Sequence, residues 1–118
     1  MKLTIITMSD ETFETEFVDD ETLYSLDSET VNNVKGSWEL QLATTNYNLE
    51  NRIKFMSLLK YEDIKNIILV NQYETLVDLE QFNLICTHSA FKDEMVFDPS
   101  GNKVHTCCIR FLLKEANK

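Results

Sequence analysis

Apolar and polar positions alternate along much of this chain. Over residues 12–18, Phe13, Thr15 and Phe17 fall on one side and Glu14 and Glu16 on the other. A period of two marks a strand that is buried on one face and wet on the other. The same period runs through 37–45, where Trp38, Leu40 and Leu42 share a face. It is longest over 104–113. There His105, Cys107, Ile109, Phe111 and Leu113 take one face, and Val104, Thr106, Cys108, Arg110 and Leu112 the other. Residues 2–8 (KLTIITM) are β-branched and apolar and predict a further strand. Residues 66–71 (NIILVN) form a short apolar run bounded by polar residues, as a buried strand does. Residues 75–79 and 82–91 predict two more.

Turn chemistry joins these strands. Ser9-Asp10-Glu11 separates the first two and predicts an N-terminal hairpin. Asp98-Pro99-Ser100-Gly101 has Pro second and Gly fourth, which suits a type I turn. Met95-Val96-Phe97 and Val104 flank it, so it predicts a second hairpin late in the chain.

Two segments carry helical signals. Over 27–36, Asp27 or Ser28 can cap free amides at the start, and Gly36 can end a short helix. Over 46–60, Leu49, Ile53, Met56 and Leu59 or Lys60 recur at spacings of three and four, with Thr45 or Asn46 as cap. A strand period through Ile53, Phe55 and Ser57 competes with that helix. Six to eight strands adjacent in sequence predict an α+β domain. It would be a mainly antiparallel β-sheet or small barrel with one or two helices packed on it.

Composition narrows this picture. A length of 118 residues fits one domain, 1–118, with one core. With 2 Gly and 1 Pro there is no flexible linker or low-complexity tract. No apolar stretch reaches the roughly 18 residues that a membrane-spanning helix needs, so no membrane partner is expected. The start of the chain reads as a first strand and not as a signal peptide, because Ser9-Asp10-Glu11 breaks its short apolar run. The three cysteines, Cys86, Cys107 and Cys108, are odd in number and two are adjacent. Reduced thiols in a cytoplasmic setting are the simpler expectation.

Charge is unevenly placed. The formal net charge is −9. Residues 1–34 hold nine acids and one base, a net −8, and residues 35–118 hold eleven acids and ten bases, a net −1. An acidic field of this kind repels nucleic-acid phosphates, so no direct nucleic-acid binding is expected. It attracts a basic protein surface, although it also serves solubility alone. The candidate binding residues are Asp10, Glu11, Glu14, Glu16, Asp19, Asp20 and Glu21. On an extended strand Glu14 and Glu16 stand about 6.6 Å apart, a spacing that resembles a row of phosphates and that any solvated strand with two glutamates shares.

One local constellation offers chemistry. Cys86-Thr87-His88 and His105-Thr106-Cys107 mirror each other. If their strands paired in one antiparallel register, Cys86 would oppose Cys107 and His88 would oppose His105, a soft donor set of the kind zinc takes. Three points count against that site. The spacing within each pair is too short for a zinc knuckle, a flat sheet spreads the four donors, and a simple turn at 98–101 centres the hairpin elsewhere. Buried or half-buried sheet residues are the expectation for all four. There is no nucleophile elbow, no HExxH and no phosphate-cradling glycine loop, so neither catalysis nor a cofactor is expected.

Aromatic residues divide by context. Trp38, Phe13, Phe17, Phe55, Phe91, Phe97 and Phe111 mostly fall on inner faces and are expected in the core. Tyr24, Tyr47, Tyr61 and Tyr73 stand in polar contexts, where tyrosine can anchor an interface.

The expected function is a non-enzymatic protein-binding module that docks its acidic N-terminal surface on a basic site of another protein. An inhibitor encoded by a phage or mobile element, acting in the host cytoplasm, fits the small size and the Asn/Ile/Lys/Glu-rich usage. A structural subunit of a phage virion (tail, connector or neck), built by self-assembly, is the alternative. A metal-binding domain is a minor third.

Overall fold

The computed structural model describes residues 1–17, 22–29, 37–44, 63–97 and 99–116. Eight strands and one short helix run through them. The order is β1 (Lys2–Thr7), β2 (Thr12–Glu16), β3 (Thr22–Glu29), β4 (Ser37–Thr44), β5 (Ile64–Val70), β6 (Thr75–Asp78), α1 (Leu79–Phe82), β7 (Leu84–Phe97) and β8 (Lys103–Glu115). They form two four-stranded sheets, ordered β2-β1-β5-β6 and β3-β4-β8-β7. Every pairing is antiparallel. The expectation of a mainly antiparallel β structure therefore holds. The barrel form does not, because each sheet keeps its own two edges and the strands do not close on themselves. Helix is confined, among the described residues, to the four residues of α1.

The alternating sequence pattern sets the registers. In the first sheet Phe13 opposes Ile5, which opposes Ile67, and Thr15 opposes Leu3, which opposes Leu69 and then Val77. In the second sheet Leu26, Leu40, Phe111 and Ser89 lie on one rung, and Tyr24, Leu42, Ile109 and Phe91 on the next. A slip of one residue would turn each apolar row to the wrong face, so burial holds the register. Leu3, Ile5, Ile67, Leu69 and Val77 from one sheet join Leu40, Leu42, Ile109, Phe111 and Leu113 from the other in one buried cluster. Each sheet thus turns one face to a common core.

The N-terminal hairpin forms as its pattern predicts. Thr7 N–H donates to the Glu11 carbonyl at 2.9 Å, and the Glu11 N–H donates to Thr7 Oγ1 at 3.1 Å. Asp10 takes a left-handed backbone (φ 65), which aspartate tolerates better than most side chains. At the other end the Met1 ammonium donates to the Phe17 carbonyl at 2.8 Å.

Several expectations need correction. The helical signal over 27–36 fails for Asp27–Glu29, which end β3. These residues pair as a strand instead: all eight residues of β3 pair with β4, and at its other end the Thr22 and Thr44 hydroxyls meet at 2.9 Å. The rest of that segment, and the whole helical segment 46–60, lie outside the described residues. Tyr24, for all its polar context, lies within this strand. The strand expected over 82–91 begins later and runs further, as Leu84–Phe97. Phe82 belongs to α1, whose signals are Asp78 and Asn83. Asp78 accepts from the Gln81 N–H at 3.3 Å, and Asn83 takes the left-handed cap position at φ 58.

The last hairpin also forms, with Gly101 at φ +84 in its loop. Its strands outrun the sheet. β4 ends at Thr44, opposite Cys107, yet β7 and β8 remain paired out to Phe97 and Lys103. Phe97 shares the parity of the core row but lies past β4, and it is 69% exposed instead of buried.

Candidate functional site

The acidic residues of the first third are dealt with in different ways. Asp10 sits in the β1–β2 turn, where its Oδ1 lies 2.9 Å from Lys65 Nζ. The hydrogen bond and charge of Asp10 raise the affinity of the Lys65 ammonium for its proton. Asp10 is thus neutralised within the molecule. Glu11 is exposed, and its backbone serves the turn. Glu14 and Glu16 are exposed on the outer face of β2, with the buried Thr15 between them pointing inward. Across the ladder Glu14 faces Thr4 and Glu16 faces Lys2. No ion pair to either glutamate forms among the described residues. β2 is an end strand of its sheet. Asp19, Asp20 and Glu21 lie outside the described residues.

A second acidic position has a different environment. Glu39 lies on the outer side of β4, yet only 4% of it is exposed. Arg110 Nε donates to Glu39 Oε1 at 2.8 Å, and the Gln41 amide donates to the same oxygen. The strand pattern placed Glu39 with the solvated residues. What it could not give is Arg110, which sits 71 residues away in sequence and reaches Glu39 diagonally across the β4–β8 ladder. Beside this pair a groove of about 370 Å³ runs over the outer face, bordered by Ala43, Ala90, Lys92, Cys108 and Arg110.

The mirrored Cys/His motif does not converge. The β7–β8 hairpin sets Cys86 against Leu113, His88 against Leu112, His105 against Met95 and Cys107 against Asp93. A register shift falls between Cys86 and His88, leaving Thr87 as an extra residue. The bulge breaks the rule that i and i+2 share a face. Cys86 is half-buried, whereas His88 is exposed. Cys86 and Cys107 are separated by about 20 Å of strand, six residues at the usual rise. Among the described residues no three His, Cys, Asp or Glu side chains gather to hold a metal ion.

None of the three cysteines forms a disulfide. Cys107 is buried at the core and Cys108 half-buried on the opposite face, as strand alternation requires. Burial pushes the Cys86 thiol up to about 11, against a smaller lowering by the backbone of His88. Its Sγ donates to the His88 carbonyl at 3.4 Å. Such a thiol is protonated at neutral pH and is neither a ready nucleophile nor a ready metal ligand.

Sequence reasoning missed two polar features. One is Asn66, 3% exposed, whose amide donates to Asp78 Oδ1 at 3.2 Å and accepts from the Glu80 N–H at 3.2 Å. It clamps α1 to β5. Asn66 stands beside Lys65 at the start of the apolar run, so the pattern marks it as a bounding polar residue and not as a buried one. The other is Trp38, half-buried on β4, whose indole nitrogen is buried and meets no hydrogen-bond partner among the described residues.

Comparison with protein-family models, curated proteins and solved structures finds no match to this chain. No helix among the described residues is long and apolar enough to cross a membrane.

Proposed function

We propose that this protein is a non-enzymatic binding module whose acidic N-terminal hairpin docks on a basic surface of another protein. One observation carries the reading. Glu14 and Glu16 stand exposed side by side on an end strand and form no ion pair among the described residues, while Lys65 and Arg110 are engaged by other acids. An unneutralised pair of this kind adds attraction and on-rate toward a cationic partner. The net charge of −8 over residues 1–34 extends the field beyond the pair. An inhibitor of a protein with a basic channel is one role such a face would serve.

The test is affinity capture from the cells in which the chain is made, comparing the wild type with Glu14→Lys/Glu16→Lys. Both positions are solvated, so the double variant should keep the wild-type circular dichroism and melting curve. It should lose the captured partner. Retention of the same partner by the folded variant would remove these glutamates from the interface.

A second reading, a self-assembling structural subunit, has its own support. The β7–β8 hairpin extends past β4 and exposes Met95 and Phe97 on the face that continues the core row. Sedimentation at high concentration separates the two readings. Rings or filaments that disappear in Met95→Ser/Phe97→Ser favour assembly, and a strict monomer speaks against it.

A further inference from the structure

β2 has a neighbour on one side only. It ends its sheet, and no strand among the described residues pairs with its other edge. The hydrogen bonds to β1 fix which groups that edge presents. The Met1 ammonium donates to the Phe17 carbonyl at 2.8 Å, and the Phe17 N–H donates back to the Met1 carbonyl at 2.7 Å. At the turn, the Thr7 N–H donates to the Glu11 carbonyl at 2.9 Å. In an antiparallel ladder, bonded pairs alternate with non-bonded ones. Met1–Phe17 and Thr7–Glu11 are bonded rungs, so Leu3–Thr15 and Ile5–Phe13 between them are bonded too. Thr12, Glu14 and Glu16 occupy the non-bonded rungs. They turn their backbone N–H and C=O away from β1, along the open edge.

An outward row of backbone donors and acceptors is a template for one more strand. The side chains of β2 say which strand fits. Glu14 and Glu16 are exposed on the outer face, while Thr15 is buried and Phe13 packs half-buried against the core on the inner face. A second copy of this chain does not fit. In a two-fold pairing centred on Thr15, Glu14 of one copy would meet Glu16 of the other, and this would happen twice. Like charges directly opposite each other destabilise a ladder. Cations at the same positions reverse the sign of that contribution.

We propose that the open edge of β2 takes up an extended segment of a partner protein as an added antiparallel strand, with Lys or Arg opposite Glu14 and Glu16 and an apolar residue between them. The main-chain bonds to Thr12, Glu14 and Glu16 set the register, and the two carboxylates select the side chains. Residues two apart share a face, so both cations lie on the outer face with the glutamates. The apolar residue falls opposite Thr15 on the inner face and extends the margin of the core beside Phe13. This inference rests on the acidic docking reading above and gives it a form: the hairpin recognises a basic–apolar–basic strand and not a positive field alone.

The experiment titrates the isotope-labelled full chain, at low salt, with the blocked peptide Thr-Lys-Val-Lys-Val-Lys-Thr. A second peptide carries methyl groups on the backbone nitrogens of its three lysines, which keeps every charge and blocks the ladder. The first peptide should bind saturably and slow amide exchange with water at Thr12, Glu14 and Glu16 by at least about threefold. Phe13 and Thr15, already bonded to β1, should change little. The methylated peptide should bind at least about fivefold more weakly, the worth of one hydrogen bond, and protect none of the three amides. Glu14→Lys/Glu16→Lys should lose the first peptide. Equal binding of the two peptides without protection of Thr12, Glu14 and Glu16 would overturn strand addition. If Glu14→Lys/Glu16→Lys still lost both peptides in that case, the acidic docking surface would stand without it. Equal binding to wild type and to this variant would remove both. An absence of saturable binding would also overturn strand addition, and the capture experiment above would then decide the docking surface by itself.

Discussion

Residue by residue, burial decides what each polar group can do. Cys86 shows this most simply. Its thiol has a raised pKa of about 11 against an ordinary value of 9.0 because the folded chain desolvates the thiolate. Alkylation of Cys86 by iodoacetamide, followed on its own peptide by mass spectrometry, should therefore keep accelerating up to about pH 11. A plateau near pH 9 would show an ordinary solvated thiol. The same shift is linked to stability. The unfolded chain loses this proton first, so the contribution is full below pH 9.0 and drains away as pH rises toward about 11. Glu39 is the second case. Its carboxylate is buried and receives Arg110 and Gln41. Arg110→Met takes away its counter-charge and should cost about 1–3 kcal/mol in urea denaturation, discounted from a fully buried pair because Arg110 is half exposed. Adding Glu39→Gln should recover part of the loss. If the two losses simply add, the pair is not coupled.

For single elements, strand alternation is dependable and local cap signals are not. β1, β2, β4, β5, β6 and β8 lie where the period of two or the apolar runs predict them. Asp27 and Ser28 look like helix caps, but capping is a local preference worth about 1 kcal/mol. Pairing along all eight residues of β3 outweighs it. β3 itself was legible in Thr22, Tyr24 and Leu26, an alternation that the surrounding acidic residues obscured. The bulge at Thr87 was not legible, because an extra residue in a ladder leaves no mark on the hydrophobic pattern. That bulge, together with a hairpin centred near 98–102, is why the Cys/His donors part company. Gly101 belongs to this scale as well. A Cβ there meets open space, but φ +84 strains any L side chain. Gly101→Ala should therefore cost about 1 kcal/mol by thermal or urea unfolding, with Gly101→Asn costing less. Equal stability of the alanine variant would mean that the loop relaxes to a negative φ.

Across the whole molecule, two sheets share one core, and the acidic face is carried on its outside. Phe111 is fully buried between Leu40 and Ser89 on the central strands. Phe111→Ala should lose about 3–5 kcal/mol and lower the melting temperature steeply. Charge reversal of Glu14 and Glu16 should leave that temperature nearly unchanged. This contrast separates the residues that make the fold from those assigned to binding. Of the acidic set proposed from sequence, the structure keeps Glu14 and Glu16 solvated and withdraws Asp10 to Lys65. Sequence could count the charges and predict the face that bears them. It could not show which acid a lysine 55 residues away would claim. The most direct test of the acidic docking surface is the affinity of the captured partner measured against ionic strength. Between about 0.05 and 0.5 M salt the Debye length shrinks severalfold, and a complex held by this face should weaken by at least about tenfold, mostly through its association rate. An affinity that stays constant over that range would contradict the account.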